Sequence, residues 1–148
     1  MLNIGEKAPD FQLPDQTGTP ISLDQLLVSG RLILYFYPAD FTPICTQEAC
    51  GFQERYDALQ NIAIQIAGVS PQNAQSHGRF ANTFSLGFPL LCDEQRQVIR
   101  LYGVEGPLGF GVRRATFLID ASKRIVNRVV ADFFVSSHLK FIQSVIGK

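Results

Sequence analysis

The sequence predicts an α/β fold with a central mixed sheet and helices on both of its faces. Three features support this class: two apolar runs rich in β-branched and aromatic residues, a capped helical pattern after each run, and two late strands joined by a short link. Strands that alternate with helices favour parallel neighbours in a sheet, and a hairpin adds an antiparallel pair. This layout alone does not indicate a function.

The first half of the chain alternates between extended and helical patterns. Residues 8–19 form short extended pieces around a turn, and the apolar run 31–37 predicts a strand buried on both faces. Thr42 followed by Pro43 is typical of a helix N-terminus. We expect this helix to continue to about Gln60.

The later elements follow in chain order: a strand over 62–69, a helix from Ser70 and Pro71, an extended piece over 88–91, a helix from Asp93 to about Tyr102, and strands over 115–120 and 124–130. A last helix from Ser136 is indicated by apolar residues at helical spacing, namely Leu139, Ile142, Val145 and Ile146.

Length and composition limit the choices further. The chain has 148 residues, of which 46% are hydrophobic and twelve are Phe. It can bury a substantial core and shows no repeat or low-complexity linker, so we predict a single domain over residues 1–148. Thirteen basic residues balance thirteen acidic ones. We therefore expect no nucleic-acid partner, since such partners favour a basic excess.

The N-terminal residues 1–7 contain no basic segment followed by an apolar one, as a secretory signal would. The longest apolar stretch, residues 32–37, is far shorter than the roughly 20 residues that span a bilayer. We therefore expect a cytoplasmic protein with no membrane partner.

Three cysteines, Cys45, Cys50 and Cys92, do not make a disulfide scaffold in a chain of this kind. In a reducing compartment such cysteines do chemistry or fill the core. Cys92 matches no motif, so we interpret it as a core residue, with a resolving role as the alternative.

Cys45 lies just past a predicted buried strand, within the first turn of a predicted helix. Unpaired backbone N–H groups and the helix dipole favour a thiolate there. A free cysteine is about 3% thiolate at pH 7, so complete ionisation raises reactivity only about thirtyfold. Further catalysis needs donors aimed at the breaking bond. Thr42 can supply a hydroxyl, and a guanidinium must come from elsewhere in the chain.

The segment around this cysteine resembles a known family. Residues 38–45 read Pro-Ala-Asp-Phe-Thr-Pro-Ile-Cys and match the P-x-x-x-T-x-x-C signature of the peroxiredoxins. Residues 114–120 resemble the later strand that carries the family's active-site arginine. The second cysteine, Cys50, resembles the bacterioferritin comigratory protein (Prx Q) branch. The similarity extends over nearly the whole chain.

The resemblance implies a thioredoxin-like fold and a peroxidase, without a cofactor, that reduces hydrogen peroxide and organic hydroperoxides. Cys45 would be the nucleophile that becomes a sulfenic acid. Thr42 and Arg114 would bind and polarise the peroxide, Pro38 would wall off the pocket, and Glu48 would help to hold the arginine.

The branch also implies how the cycle closes. Cys50 would resolve the sulfenic acid as an intramolecular disulfide, which thioredoxin or a similar dithiol would reduce. A resolving cysteine in the same helix needs no second subunit, which favours a monomer. Two departures bear on access and specificity: many relatives have glycine where this chain has Ile44, and lysine where it has Ala39.

Residues five apart on an α-helix are separated by a rise of about 7.5 Å and a turn of about 140°. A disulfide requires Cα atoms within about 7 Å and converging side chains. Cys45 and Cys50 therefore cannot bond while their helix is intact, and we predict that oxidation unwinds this segment. Gly51, a poor helix former, would lower the cost of unwinding.

Each candidate has a simpler interpretation. Cys45 and Cys50 could be packing residues, Thr42 only a helix cap, and Glu48 an exposed carboxylate in an early turn. Arg114 could be a surface residue, since a one-residue register slip exchanges it with Arg113.

Other polar groups receive no functional role. His77 and His138 are interpreted as solvated helix residues, and no pair spacing indicates a metal site. The glycines between residues 103 and 111 read as a flexible connection, without the strand-to-helix context of a phosphate site.

Two competing functions remain open at the level of sequence. A thioredoxin-type disulfide oxidoreductase would require a C-x-x-C motif, whereas four residues separate Cys45 and Cys50. A redox sensor or chaperone-like binding protein could use the same fold.

Overall fold

The computed structural model describes residues 1–109 and 111–147, so residues 110 and 148 of the predicted domain lie outside the described part. Its strands are β1 (Gln12–Pro14), β2 (Pro20–Ser22), β3 (Arg31–Phe36), β4 (Ile64–Ser70), β5 (Leu90–Cys92), β6 (Ala115–Ile119) and β7 (Ile125–Val130). Its helices are α1 (Leu23–Leu26), α2 (Pro43–Glu54), α3 (Tyr56–Asn61), α4 (Ala74–Phe84), α5 (Gln97–Leu101) and α6 (Val135–Ile146).

The central sheet has the strand order β5-β4-β3-β6-β7. β3 pairs in parallel with β4, and β4 pairs in parallel with β5. β6 pairs antiparallel with both β3 and β7. The predicted mixed sheet is therefore confirmed. β1 and β2 form a separate antiparallel pair around the predicted early turn.

Both faces of the sheet carry a hydrophobic core because successive side chains of a strand point in opposite directions. On one face, Leu32 and Leu34 of β3 belong to a cluster with residues of α1 and α5. On the other face, Ile33 and Tyr35 belong to a cluster with residues of α2, α4 and α6. Helices on both faces are thus confirmed.

Two helix starts differ from the predictions. Ser70 pairs with Cys92 as the last residue of β4, so the chain is still extended there, and α4 begins after Asn73, whose side chain accepts a hydrogen bond from the Ser76 amide. Asp93 does not begin α5. Its carboxylate accepts a hydrogen bond from the Ile99 amide at 2.8 Å across an intervening turn.

The helix expected over residues 43–60 is divided at Arg55, where a tight hydrogen bond to the Phe52 carbonyl ends α2. The short helix α1 was not predicted. Its signal is present in the sequence, because Ser22 and Gln25 form a capping box.

None of the helices in the described ranges has the length and hydropathy needed to cross a bilayer.

Candidate active site

Cys45 lies at the start of α2, directly after the loop that leaves the end of β3. Thr42 is the extended N-cap residue and Pro43 opens the helix, as predicted. The Cys45 side chain is almost completely buried, with 1% exposure. The strand and helix signals in the sequence therefore bring the cysteine to a helix N-terminus next to the sheet.

The Arg114 guanidinium reaches this cysteine from the segment just before β6. Ala115 pairs with Phe36, the last residue of β3, so Arg114 stands beside the point where the cysteine loop begins. Its Nη2 donates to Cys45 Sγ at 3.1 Å and its Nη1 donates to Glu48 Oε1 at 2.7 Å. Arg114 itself is 4% exposed.

The neighbouring arginine has a different environment, which decides between the two registers. Arg113 is partly exposed and its Nε forms an ion pair with Asp132 at 2.9 Å. Asp132 also receives the Arg114 backbone N–H at 3.0 Å, and its carbonyl receives Arg114 Nε at 3.2 Å. Asp132 thus orients both arginines, a contribution that no motif in the sequence indicated.

Glu48 is fully buried, so its interpretation as an exposed carboxylate in an early turn is wrong. Burial raises the pKa of Glu48 to about 7, although the charge of Arg114 and its hydrogen bond act in the opposite direction. Among the described residues, Glu48 Oε2 has no hydrogen-bond partner. It faces His138 Nδ1 at 3.6 Å.

The structure also overturns the interpretation of both histidines as solvated residues. His77 and His138 have no exposed surface. In each case the residues three and four positions later are buried apolar ones, Phe80 and Ala81 on α4 and Phe141 and Ile142 on α6. This spacing places each histidine on the buried face of its helix, and it was available in the sequence.

His77 belongs to a polar network beneath the loop that precedes Cys45. Its Nδ1 lies 2.6 Å from Asp40 Oδ2, and its Nε2 lies 3.0 Å from the Leu91 carbonyl oxygen. The Tyr37 hydroxyl donates to Asp40 Oδ1 at 2.6 Å, and the Ser76 hydroxyl donates to Oδ2 at 2.7 Å. The loop is therefore fastened to α4 by buried hydrogen bonds.

A cavity of about 810 Å³ opens beside Arg114. Its wall is mainly apolar, and includes Pro38, Thr42, Ile44, Val112 and Phe133. The Thr42 side chain makes no capping hydrogen bond, and its hydroxyl donates to the Ala39 carbonyl at 3.2 Å. The glycine-containing loop, read as a connection, contributes Gly106 and Gly111 to the same wall.

Within residues 1–109 and 111–147, no three His, Cys, Asp or Glu side chains are grouped as ligands for a metal ion.

Comparison with known proteins decides the family. A family model described as the AhpC/TSA family matches residues 4–128. The chain belongs to this peroxiredoxin family. The resemblance inferred from the signature around Cys45 is confirmed.

Curated relatives match most of the peroxiredoxin chain. Peroxiredoxin Bcp of Escherichia coli is 38% identical over 143 residues, covering 93% of this chain and 90% of the relative. A putative peroxiredoxin of Mycobacterium tuberculosis is 36% identical, covering 93% and 91%. Chloroplastic peroxiredoxin Q of Arabidopsis thaliana is 36% identical, covering 97% and 68%.

Solved structures share the fold. Peroxidoxin BcpB from Mycobacterium tuberculosis has a TM-score of 0.92 and 34% identity, with 99% of this chain and 97% of that chain covered. Peroxiredoxin Q of Xanthomonas campestris has a TM-score of 0.84 and 26% identity, with 93% and 89% covered. The thioredoxin-like fold of peroxiredoxins is thus confirmed.

The family makes the protein an enzyme, a thiol-dependent peroxidase whose substrate is a hydroperoxide and whose reductant is a thiol. This outcome favours the peroxidase over the two competing hypotheses, the disulfide oxidoreductase and the binding protein.

The three cysteines of the peroxiredoxin are free thiols in distinct environments. Cys50 is half-buried on α2. Burial raises the pKa of its thiol, and the negative charge of Glu54 raises it further. Cys92 is buried, and its Sγ donates to the Asp15 carbonyl at 3.6 Å. Burial raises the pKa of Cys92 to about 11. A thiol of this kind is a poor nucleophile, in agreement with the interpretation of Cys92 as a core residue.

Proposed function

We propose that this peroxiredoxin reduces hydrogen peroxide and organic hydroperoxides through Cys45, and that Cys50 resolves the product as an intramolecular disulfide. The observation that carries the proposal is the contact of 3.1 Å between Arg114 Nη2 and Cys45 Sγ at a helix N-terminus. A guanidinium and a helix dipole both stabilise a thiolate, which is the reactive form of cysteine.

In the first step the Cys45 thiolate attacks the terminal oxygen of the hydroperoxide. An S–O bond forms and the O–O bond breaks, which leaves a sulfenic acid and an alkoxide that takes up a proton. Negative charge moves from sulfur to the departing oxygen. Arg114 and the Thr42 hydroxyl, which turns from the Ala39 carbonyl toward the peroxide, are the donors that stabilise this charge, and Pro38 shields the pocket from water. Glu48 holds Arg114 in place through Nη1.

The cavity supports organic hydroperoxides as substrates. Its volume of about 810 Å³ far exceeds the space that hydrogen peroxide requires, and its apolar wall suits an alkyl chain. The Ile44 side chain adds to this apolar surface. A solved structure of the Xanthomonas campestris bacterioferritin comigratory protein, 26% identical to this chain, is described in terms of alkyl peroxide reduction activity, in agreement with this proposal.

In the second step the Cys50 thiol attacks the sulfenic sulfur, so that a disulfide forms and water leaves. Thioredoxin or a similar dithiol then reduces the disulfide. Both cysteines belong to α2, which supports a cycle within a monomer, and the proposed compartment is the cytoplasm, where such reductants are available.

Stopped-flow consumption of hydrogen peroxide and of cumene hydroperoxide, with and without a thioredoxin system, tests the proposal. Cys45→Ser should abolish reduction of both substrates. Cys50→Ser should still reduce about one equivalent and then stop, because its sulfenic acid is not resolved. Unchanged turnover in Cys45→Ser would reject Cys45 as the nucleophile, and unchanged turnover in Cys50→Ser would reject Cys50 as the resolving residue.

A further inference from the structure

A buried carboxyl and imidazole face each other behind Arg114. Glu48 Oε2 on α2 lies 3.6 Å from His138 Nδ1 on α6, and neither side chain has exposed surface. This distance is too long for a hydrogen bond. The terminal torsion of a glutamate has a broad energy minimum, so a small rotation of the carboxyl group brings the two atoms within hydrogen-bond distance. Among the described residues, Oε2 has no other partner.

The contacts of His138 determine which ring nitrogen holds a proton. Nε2 lies 2.9 Å from the Ala131 carbonyl oxygen, which only accepts, so Nε2 carries a hydrogen. Nδ1 lies 2.8 Å from the Thr116 hydroxyl, which can donate to it or accept from it. A Glu48 carboxylate facing an unprotonated Nδ1 would place two lone pairs against each other. One proton on either Glu48 or His138 removes this conflict.

Three further groups that can carry charge face the pair, namely Tyr35 from β3, Arg114 ahead of β6 and Asp132 after β7, and Arg114 in turn contacts Cys45 of α2. Burial raises the pKa of Tyr35 well above its ordinary value, so Tyr35 is neutral. Asp132 is compensated by its ion pair with Arg113. The remaining charges are those of the Arg114 guanidinium and the Cys45 thiolate, which cancel.

The buried site is therefore neutral only if Glu48 and His138 together hold one dissociable proton. An uncompensated charge is costly in such a place. Burial raises the pKa of Glu48 to about 7 and lowers that of His138, which agrees with a shared proton that resides on Glu48 in preference to His138.

We propose that Glu48 and His138 share one dissociable proton while Cys45 is a thiolate, and that this pair releases the proton when Cys45 is oxidised. His138 is then a positioning residue, which acts on the reaction through Glu48 and Arg114. The proposal rests on the role of Cys45 as the nucleophile.

The step balances in atoms and charge. Thiolate, hydroperoxide and protonated pair become sulfenic acid, alcohol and deprotonated pair. Two electrons pass from sulfur to the O–O bond, the terminal OH stays on sulfur, and the alkoxide gains the one proton that the pair loses. The Glu48 carboxylate then takes over from the thiolate as the counter-charge of Arg114, so the site is neutral before and after the reaction.

Infrared difference spectroscopy of the Cys50→Ser protein at pH 7 tests the release directly, because this variant stops at the sulfenic acid. Addition of one equivalent of hydrogen peroxide should remove a carboxylic-acid or an imidazolium band. Glu48→Gln should eliminate the carboxylic-acid change. If neither band changes while one equivalent of peroxide is consumed, the shared proton is refuted, although Cys45 remains the nucleophile.

The pH profile of the rate constant with peroxide tests the role of His138. Above the pH at which the pair loses its proton, the Glu48 carboxylate competes with the thiolate for Arg114, and the rate constant should fall about tenfold. His138→Gln keeps a donor for the Ala131 carbonyl but lacks Nδ1, so the fall should begin about one pH unit lower.

A double-mutant cycle separates this role from a merely structural one. Glu48→Gln should show no such fall, and His138→Gln should have no further effect on the profile in the Glu48→Gln background. The proposal would be overturned if His138→Gln lowered the rate constant by the same factor at every pH. It would also be overturned if His138→Gln still shifted the pH profile in the Glu48→Gln background.

Discussion

Glu48 shows how one buried side chain can combine opposed electrostatic effects. Its contact with Arg114 at 2.7 Å favours the carboxylate, whereas its complete burial favours the neutral acid. Burial is the larger effect, and the pKa of Glu48 rises to about 7 from 4.5. Replacement of this residue therefore has a different effect on stability at different pH values.

We predict that Glu48→Gln gains stability relative to wild type as the pH rises. Below pH 4.5 both the native and the unfolded chain hold the Glu48 proton, so this group does not make the free energy of unfolding depend on pH. Between pH 4.5 and about 7 the unfolded chain loses the proton while the native protein keeps it, so wild-type stability falls as the pH rises. The full loss, about 3 kcal/mol, is reached above pH 7.

Urea unfolding of the reduced proteins across this range provides the measurement. Glu54→Gln, which changes an exposed carboxyl on the same helix, is the matched control and should follow wild type at every pH. A constant difference between Glu48→Gln and wild type would contradict the raised pKa.

The residues of the site could be predicted to different extents. The signature that spans Thr42 and Cys45 is local, and Arg114 is marked by the strand that follows it. The burial of Glu48 could not be read from its position in a helix, because burial there depends on how β6 and α6 cover that face. Asp132 carries no local pattern and acts only because β7 ends beside Arg114.

At the scale of elements, α2 carries both proposed redox cysteines. The helix must be intact to hold Cys45 for attack on the peroxide, and it must open for Cys50 to reach Cys45. The intact helix holds Cys45 in its first turn. It also keeps Cys50 about 7.5 Å further along the axis, on a different face. Gly51 has an additional role, because a Cβ atom there would lie 2.7 Å from Leu139 Cδ2 of α6. With glycine at this position, the Leu139 side chain packs directly against the backbone of α2.

We predict that amide hydrogen exchange across residues 45–52 is faster in the disulfide form than in the reduced form. The disulfide requires the helical hydrogen bonds of this segment to open. Exchange followed by mass spectrometry measures the difference. Peroxide-treated Cys50→Ser, which is oxidised without a disulfide, should retain slow exchange. Equally slow exchange in the reduced and disulfide forms of wild type would refute the unwinding.

Strands were easier to predict than helix boundaries. The apolar run of β3 is continuous because the strand is buried on both faces. The starts of α4 and α5 were misplaced because several polar residues near each start can cap a helix. The sheet pairing of Ser70 delays the start of α4, and the left-handed backbone of Arg96 sets the start of α5. Neither feature is a local property of the sequence.

At the scale of the whole molecule, the sheet joins segments that are far apart in the chain. The antiparallel pairing of β6 with β3 brings Arg114 to Cys45. Sequence patterns predicted a mixed sheet but not its strand order, so the contact was expected only from the family resemblance. The single domain and the monomer stay predictions.

We predict that disulfide formation is first order and independent of protein concentration, because both sulfurs belong to one helix. Rapid mixing with a fixed excess of peroxide at protein concentrations from about 0.1 to 10 µM, followed by acid quench and mass mapping, provides the measurement. Cys92→Ser is the control and should behave like wild type. A rate that rises with protein concentration, or a disulfide between two chains, would contradict resolution within a monomer.

The cavity wall and the first turn of α2 share residues, since Thr42, Pro43 and Ile44 border the cavity and lead into or open the helix. If the unwinding predicted from Cys45 onward extends back into this turn, it would also open the wall of the cavity. An alcohol product would then lose its contacts with the wall. We therefore expect the oxidised form to bind neither long-chain alcohols nor a second hydroperoxide at this cavity until its disulfide is reduced.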